Sequence, residues 1–266
     1  MSSGNIVRFT ALTAAAVAVT ALGGSKANAE TVFDLTGPVP QSTTINGAIF
    51  TTNVQQPTGT GVIDPFVRLE TNQSIEKGFN TDFRPIEAGN DAKQDAQYTH
   101  SLKVADLQAT GGYYQFLLDI NQNNSGPGHQ SLLNLNDLKV FVANSPTLNG
   151  YTGSGFSSGP STLVYNMDGP LVTDDNGVLL DYNLNSGSGS GDLYVNIPTV
   201  GFSAGTYVYL YSSFGVPNPN NDGFEEWAAI AKQGTPLVPV PASVWGGLAL
   251  MGLVGAAKFR SRHQSA

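Results

Sequence analysis

The chain has 266 residues, with 20 Asp and Glu against 12 Lys and Arg, a formal charge of −8 and no cysteine. That charge excludes the basic footprint that DNA or RNA binding requires. The absence of cysteine removes disulfide frameworks, thiol nucleophiles and thiolate metal sites, so a folded body must rest on its apolar core.

Arg8 is the only charge in the first 25 residues, and an apolar, Ala-rich stretch runs from Phe9 to Leu22. Ala27-Asn28-Ala29 then supplies a small-x-small cleavage pattern. Residues 1–29 therefore read as a signal peptide, cut by signal peptidase after Ala29 so that the mature chain starts at Glu30. Between Glu30 and Pro241 there are seven basic residues and 20 acidic ones, a net charge of −13. Divalent cations and cationic surfaces are compatible with such a balance.

From Glu30 onward, short apolar runs alternate with turn residues. Strands are predicted at Val32–Leu35, Ile45–Thr52, Phe66–Thr71, Ser74–Phe79, Tyr98–Val104 and Tyr113–Ile120. Phe83–Gln97 is polar and irregular and reads as a long loop. Further strands are predicted at Lys139–Ala143, Leu163–Met167, Val178–Leu184, Asp192–Ile197 and Thr206–Phe214. Two of these alternate clearly: Val178, Leu180, Tyr182 and Leu184 share one face, and Leu193, Val195 and Ile197 another. Asp175-Asn176-Gly177 has the composition of a hairpin turn, and Asn134–Leu138 reads as one helical turn. These elements predict an all-β, antiparallel β-sandwich of jelly-roll type over residues 30–235. No fixed-period repeat argues for a solenoid.

The last thirty residues have three parts. Val238-Pro239-Val240-Pro241-Ala242 is extended and cannot continue a strand or helix. From Val240 to Phe259 run 20 residues without charge before Lys258, and as a helix they span roughly 30 Å, the thickness of a bilayer core. Lys258, Arg260 and Arg262 follow, marking a cytoplasmic end. This Pro motif, with Trp245 at the start of the apolar run and the basic end, resembles the PEP-CTERM sorting signal, although Val240 stands where Glu is commonest and Phe259 and Ser261 interrupt the basic tail. The run GTYVYLYSSFGVPNPNNDGFEEWA is similar to the C-terminal half of β-rich surface proteins bearing that signal, which implies a single domain ending near Trp227–Ala231. The resemblance implies an exported protein, transiently anchored in the inner membrane. An exosortase then processes it over residues 236–266 and releases it to the cell surface or matrix, with a link to exopolysaccharide and biofilm.

The chemistry within the mature region is sparse. Gly155-Phe156-Ser157-Ser158-Gly159 matches the Gly-x-Ser-x-Gly pattern. No helix is predicted after it, and the only later histidine is His263, so a serine hydrolase of that kind is excluded. Asp119, Asn121 and Asn123 alternate as in a calcium loop. Asn124 and Gln130 then replace the required Gly and Glu, which excludes an EF-hand. A calcium site of separate loop carboxylates remains, with Asp119, Asp222, Glu225 and Glu226 as ligands, the last three in or beside the oxygen-rich loop Asn218–Glu226. Glu225 and Glu226, or one of them with Asp119, are also candidates for the acid/base pair of a glycan hydrolase. Tyr207, Tyr209 and Tyr211 fall on one face of a strand, where they would either stack on sugar rings or pack within the sheet. The leading expectation is a non-enzymatic exported surface protein. A carbohydrate- or calcium-binding module and an extracellular glycan hydrolase are the alternatives.

Overall fold

The computed structural model describes residues 30–229, apart from 39, 53–64, 126–129, 170–174, 188 and 222. The proposed cleavage residues Ala27 and Ala29, the Pro motif Val238–Ala242, the flank Lys258, Arg260 and Arg262, and Asp222 lie outside the described residues. Among the described residues, no helix is long and apolar enough to cross a membrane.

Fourteen strands form two sheets. The first sheet contains β1 (Thr31–Asp34), β5 (Glu76–Phe79), β6 (Leu102–Lys103), β9 (Leu132–Ala143), β10 (Thr162–Asn166), β11 (Asn176–Asp181) and β13 (Tyr207–Phe214). The second contains β2 (Ser42–Ile45), β3 (Ala48–Thr52), β4 (Pro65–Leu69), β7 (Ala109–Thr110), β8 (Tyr113–Asp119), β12 (Leu193–Pro198) and β14 (Glu225–Ala229). The order in the first sheet is β1-β11-β9-β13-β5, and in the second β2-β3-β12-β8-β14-β4. The long strand β9 carries the first sheet: β13 pairs along one edge, and β10 and β11 share the other end to end.

The predicted all-β class holds, and the two sheets pack as a β-sandwich. The cause is visible in β12, where Leu193, Val195 and Ile197 are fully buried while the residues between them are half-buried. Phe50, Phe116, Leu118, Leu135, Val208 and Trp227 join them in one core between the sheets. A second apolar cluster lies on the outer face of the first sheet, where the 144–161 loop folds over Phe79, Phe141, Tyr209 and Tyr211. Phe156, the second residue of the Gly-x-Ser-x-Gly pattern, packs into this cluster with ring centroids 5.0 Å from Phe79 and 5.5 Å from Phe141. Ser157 closes the loop by donating its N–H to the Gly150 carbonyl, so the pattern is a packing loop.

Several expectations are corrected. Ile45–Thr52 is the turn and second strand of a hairpin: Asn46 (φ 48°) and Gly47 (φ 86°) join β2 to β3, so the Asn-Gly turn lies here. Asn176-Gly177 instead belongs to β11, with Gly177 opposite Val32 in the parallel β1–β11 pair, the one departure from antiparallel pairing. Asn134–Leu138, expected as a helical turn, is the middle of β9, because Leu133, Leu135 and Leu138 all reach the core. The strand expected to reach Leu184 stops at Asp181 and turns into a single 3-10 turn, Tyr182–Leu184. That expected over Tyr98–Val104 is confined to β6, followed by a 3-10 turn at Val104–Asp106.

Candidate functional site

The loop expected over Asn218–Glu226 ends earlier than its composition suggests. Glu225 and Glu226 open β14, which lies between β8 and β4 inside the second sheet, and both are buried. As neighbours on a strand they point to opposite faces. Trp227, two residues from Glu225, enters the core and donates its indole N–H to Ser212 on the opposite sheet at 3.0 Å, so Glu225 faces inward. Glu226 faces outward, where Arg68 pairs with it while stacking 3.5 Å from the centroid of Tyr98. The two glutamates therefore do not share a face across which a glycosidic bond could lie.

The ends of β4, β8 and β13 and the starts of β5, β12 and β14 meet at one end of the sandwich. Five carboxylates are buried there: Glu76, Asp119, Asp192, Glu225 and Glu226. They form two groups, one on each side of the second sheet.

The outer group is a row across adjacent strands. Asp119 lies directly opposite Glu226, which lies opposite Arg68, and Asp192 immediately precedes β12 on the other flank of β8. The 182–192 loop covers this row, with Gly189 N–H donating to Asp119 at 2.6 Å and Asn185 holding the Gly191 carbonyl at 2.9 Å. Burial raises the Asp119 carboxyl to about 7, with the Gly189 N–H opposing and the Glu226 charge adding to the rise. Asp192 accepts the Ile120 N–H at 2.8 Å, and burial still pushes its pKa well above the usual carboxylate range. One oxygen of each, Asp119 Oδ1 and Asp192 Oδ1, has no hydrogen-bond donor.

The inner group lies between the sheets. Glu76, at the start of β5, and Glu225 bring their carboxyls together, both fully buried. Glu76 Oε2 accepts from the Thr71 N–H at 3.1 Å and from the Asn220 amide at 2.8 Å. Glu76 Oε1, both oxygens of Glu225 and Asn220 Oδ1 have no donor. Burial raises Glu76 to about 7. It also pushes Glu225 well above the usual carboxylate range, reinforced by Glu76 and opposed by the Asn121 backbone N–H. A polar cavity of about 240 Å³ is walled by Thr71, Ser74, Asn220 and Gly223, of which Thr71 and Asn220 donate to Glu76.

Of the expected calcium ligands, Asp119 and Glu226 thus stand together on the outer face and Glu225 apart on the inner one. Among the described residues, no three Asp, Glu, His or Cys side chains converge as a metal set. Sequence reading missed Glu76 and Asn220, which lie 149 and five residues before Glu225. The only signal for Glu76 was a carboxylate within the predicted strand Ser74–Phe79.

The tyrosine row resolves differently. Tyr209 is 1% exposed, donates its hydroxyl to the Ser145 carbonyl at 2.7 Å and accepts the Leu148 N–H. Tyr211 stacks on Tyr151 with centroids 4.1 Å apart, and Tyr207 is half-buried beside Lys103. The 144–161 loop occupies the face on which a sugar ring would stack. Comparison with protein-family models, curated proteins and solved structures finds no match.

Proposed function

We propose that the chain is an exported, non-enzymatic surface protein whose β-sandwich is the mature body. In this reading residues 1–29 direct export, and the apolar run after Pro241 holds the protein in the inner membrane with its basic end in the cytoplasm. An exosortase then cuts within Val238–Ala242 and the domain passes to the cell surface or matrix. The association with exopolysaccharide rests on the resemblance of the C-terminal segment to PEP-CTERM signals.

The observation that carries the reading is the extent of the folded body. β1 opens at Thr31, one residue after the proposed mature start, and Glu30 itself is bound by the Asn136 amide at 2.9 Å. β14 closes at Ala229, before the Pro motif begins at Val238. Both proposed cuts therefore fall outside the strands of the described residues, so processing would leave those strands intact. The opposite facing of Glu225 and Glu226 supports a non-enzymatic body over a glycan hydrolase built on that pair.

Mass spectrometry of both chain ends tests the route, using protein from an exosortase-containing host and from the same host lacking it. The expected product starts at Glu30 in both and ends near Pro241 only where the exosortase is present. Persistence of the tail through Ala266 in both hosts overturns the sorting reading and leaves a permanently tethered domain.

A further inference from the structure

The inner carboxylate pair is unusual because its surroundings offer acceptors and almost no donors. Four buried oxygens lack a donor: Glu76 Oε1, Glu225 Oε1 and Oε2, and Asn220 Oδ1. Glu76 and Glu225 are fully buried and Asn220 is 7% exposed. Two like-charged carboxylates taken from water are costly unless a proton or a cation compensates them. Among the described residues, the guanidinium at this end, that of Arg68, lies on the other side of the sheet and is bound to Glu226.

Asn220 separates the two ways of compensating. A shared proton would satisfy one oxygen of each carboxyl and leave the amide oxygen of Asn220 buried without a partner. Its amide nitrogen is already committed to Glu76 Oε2, which holds Asn220 against the pair. Its backbone is held as well, donating its N–H to the Ser74 carbonyl at 3.0 Å. Buried, unpartnered oxygens with no nitrogen or sulfur ligand among them suit a hard divalent cation and do not suit zinc. Calcium takes six to eight oxygens and accepts a bidentate carboxylate, which Glu225 can supply with both of its oxygens. Thr71 and Asn220, the two donors to Glu76, also line a polar cavity of about 240 Å³.

We propose that Glu76, Glu225 and Asn220 bind one calcium ion between the two sheets, joining β5 of the first sheet to β14 of the second at the open end of the sandwich. The ion links the sheets where the core gives way to polar loops. The site is independent of the sorting route, and it excludes Asp119 and Glu226, which face away from it.

The test is thermal unfolding and titration calorimetry on the full chain purified in detergent, with CaCl2 as the only added ligand and EGTA as the reference. Calcium a hundredfold above its Kd should raise Tm by roughly 5–10 °C, with a stoichiometry of about one. Glu225→Gln should lose this rise without lowering Tm in EGTA, because it removes one of two facing charges. Asn220→Ala, at the cavity wall, should weaken calcium binding at least tenfold and supplies the answer if Glu225→Gln does not fold. Three results would overturn the proposal: no heat and no Tm change with calcium, a full calcium response in Glu225→Gln, or unchanged affinity in Asn220→Ala. The first of these, with a pH dependence of Tm that Glu225→Gln reduces, would assign the pair a shared proton instead.

Discussion

Replacing Asp119 with Asn isolates the cost of one buried charge on the outer face of the second sheet. Burial raises this carboxyl from the ordinary 3.8 to about 7, so the folded protein holds the proton far more tightly than the unfolded chain. The resulting stability is complete below about pH 4, declines as pH rises and is lost once pH passes the folded value near 7. A rise of about 3 units corresponds to roughly 4 kcal/mol across the whole range, of which roughly 2–3 kcal/mol falls between pH 5 and pH 8. Asn keeps the shape and the acceptor for the Gly189 N–H, and it turns an amide donor toward Glu226 in place of a like charge. Urea unfolding in EGTA at pH 5, 6.5 and 8 reads the effect. Wild type should lose stability across this series, and Asp119→Asn should lose less by about 2–3 kcal/mol, with its advantage largest at pH 8. The residual slope belongs to Asp192, Glu76 and Glu225, whose carboxyls are raised in the same sense. Equal slopes in the two proteins would refute the argument that burial of the Asp119 charge opposes folding.

Phe156→Ala empties the centre of the outer aromatic cluster and should cost about 3 kcal/mol. The 144–161 loop should become the first site of limited proteolysis, and unchanged stability with full protease resistance would show that the loop is held by other contacts. Ser212→Ala strands the buried indole N–H of Trp227 and should cost about 1–3 kcal/mol in urea unfolding. A loss under about 0.5 kcal/mol would mean that the N–H finds another acceptor.

The sandwich was legible wherever one face of a strand was apolar and the other polar. β12 and β8 show this, and their predicted bounds fall within a residue of the observed ones. Legibility failed where tertiary context overrode local composition. Asn-Gly has the same local preference at 46–47 and at 176–177. Only the first turns, because Asn176 and Gly177 are paired with β1 and the strand beyond them with β9. Asn134–Leu138 has apolar residues at a spacing that fits a helical turn. The pairing of β9 with β11 and β13 extends it, and a bulge near Leu135 accommodates the irregular spacing.

The buried carboxylates were harder to read, for a reason that composition cannot show. A net charge of −13 over the mature region suggests a solvated acidic surface, since carboxylates are almost never fully buried unless paired. Glu225 and Glu226 were identified from an oxygen-rich loop and Asp119 from an Asp/Asn alternation, yet all three belong to strands, and β pairing decides which of them share a side of the sheet. Glu76 reaches Glu225 only because the short 70–75 connection returns β4 to the facing sheet as β5, and Asn220 joins them through a loop anchored on Ser74. A carboxylate needs a donor, a proton or a cation when it leaves water, and at this end of the sandwich the protein supplies few donors. The occupant of the inner site therefore depends on the solution as well as on the chain. Supplying calcium should remove the part of the pH response that belongs to Glu76 and Glu225 and leave the part set by Asp119 and Asp192.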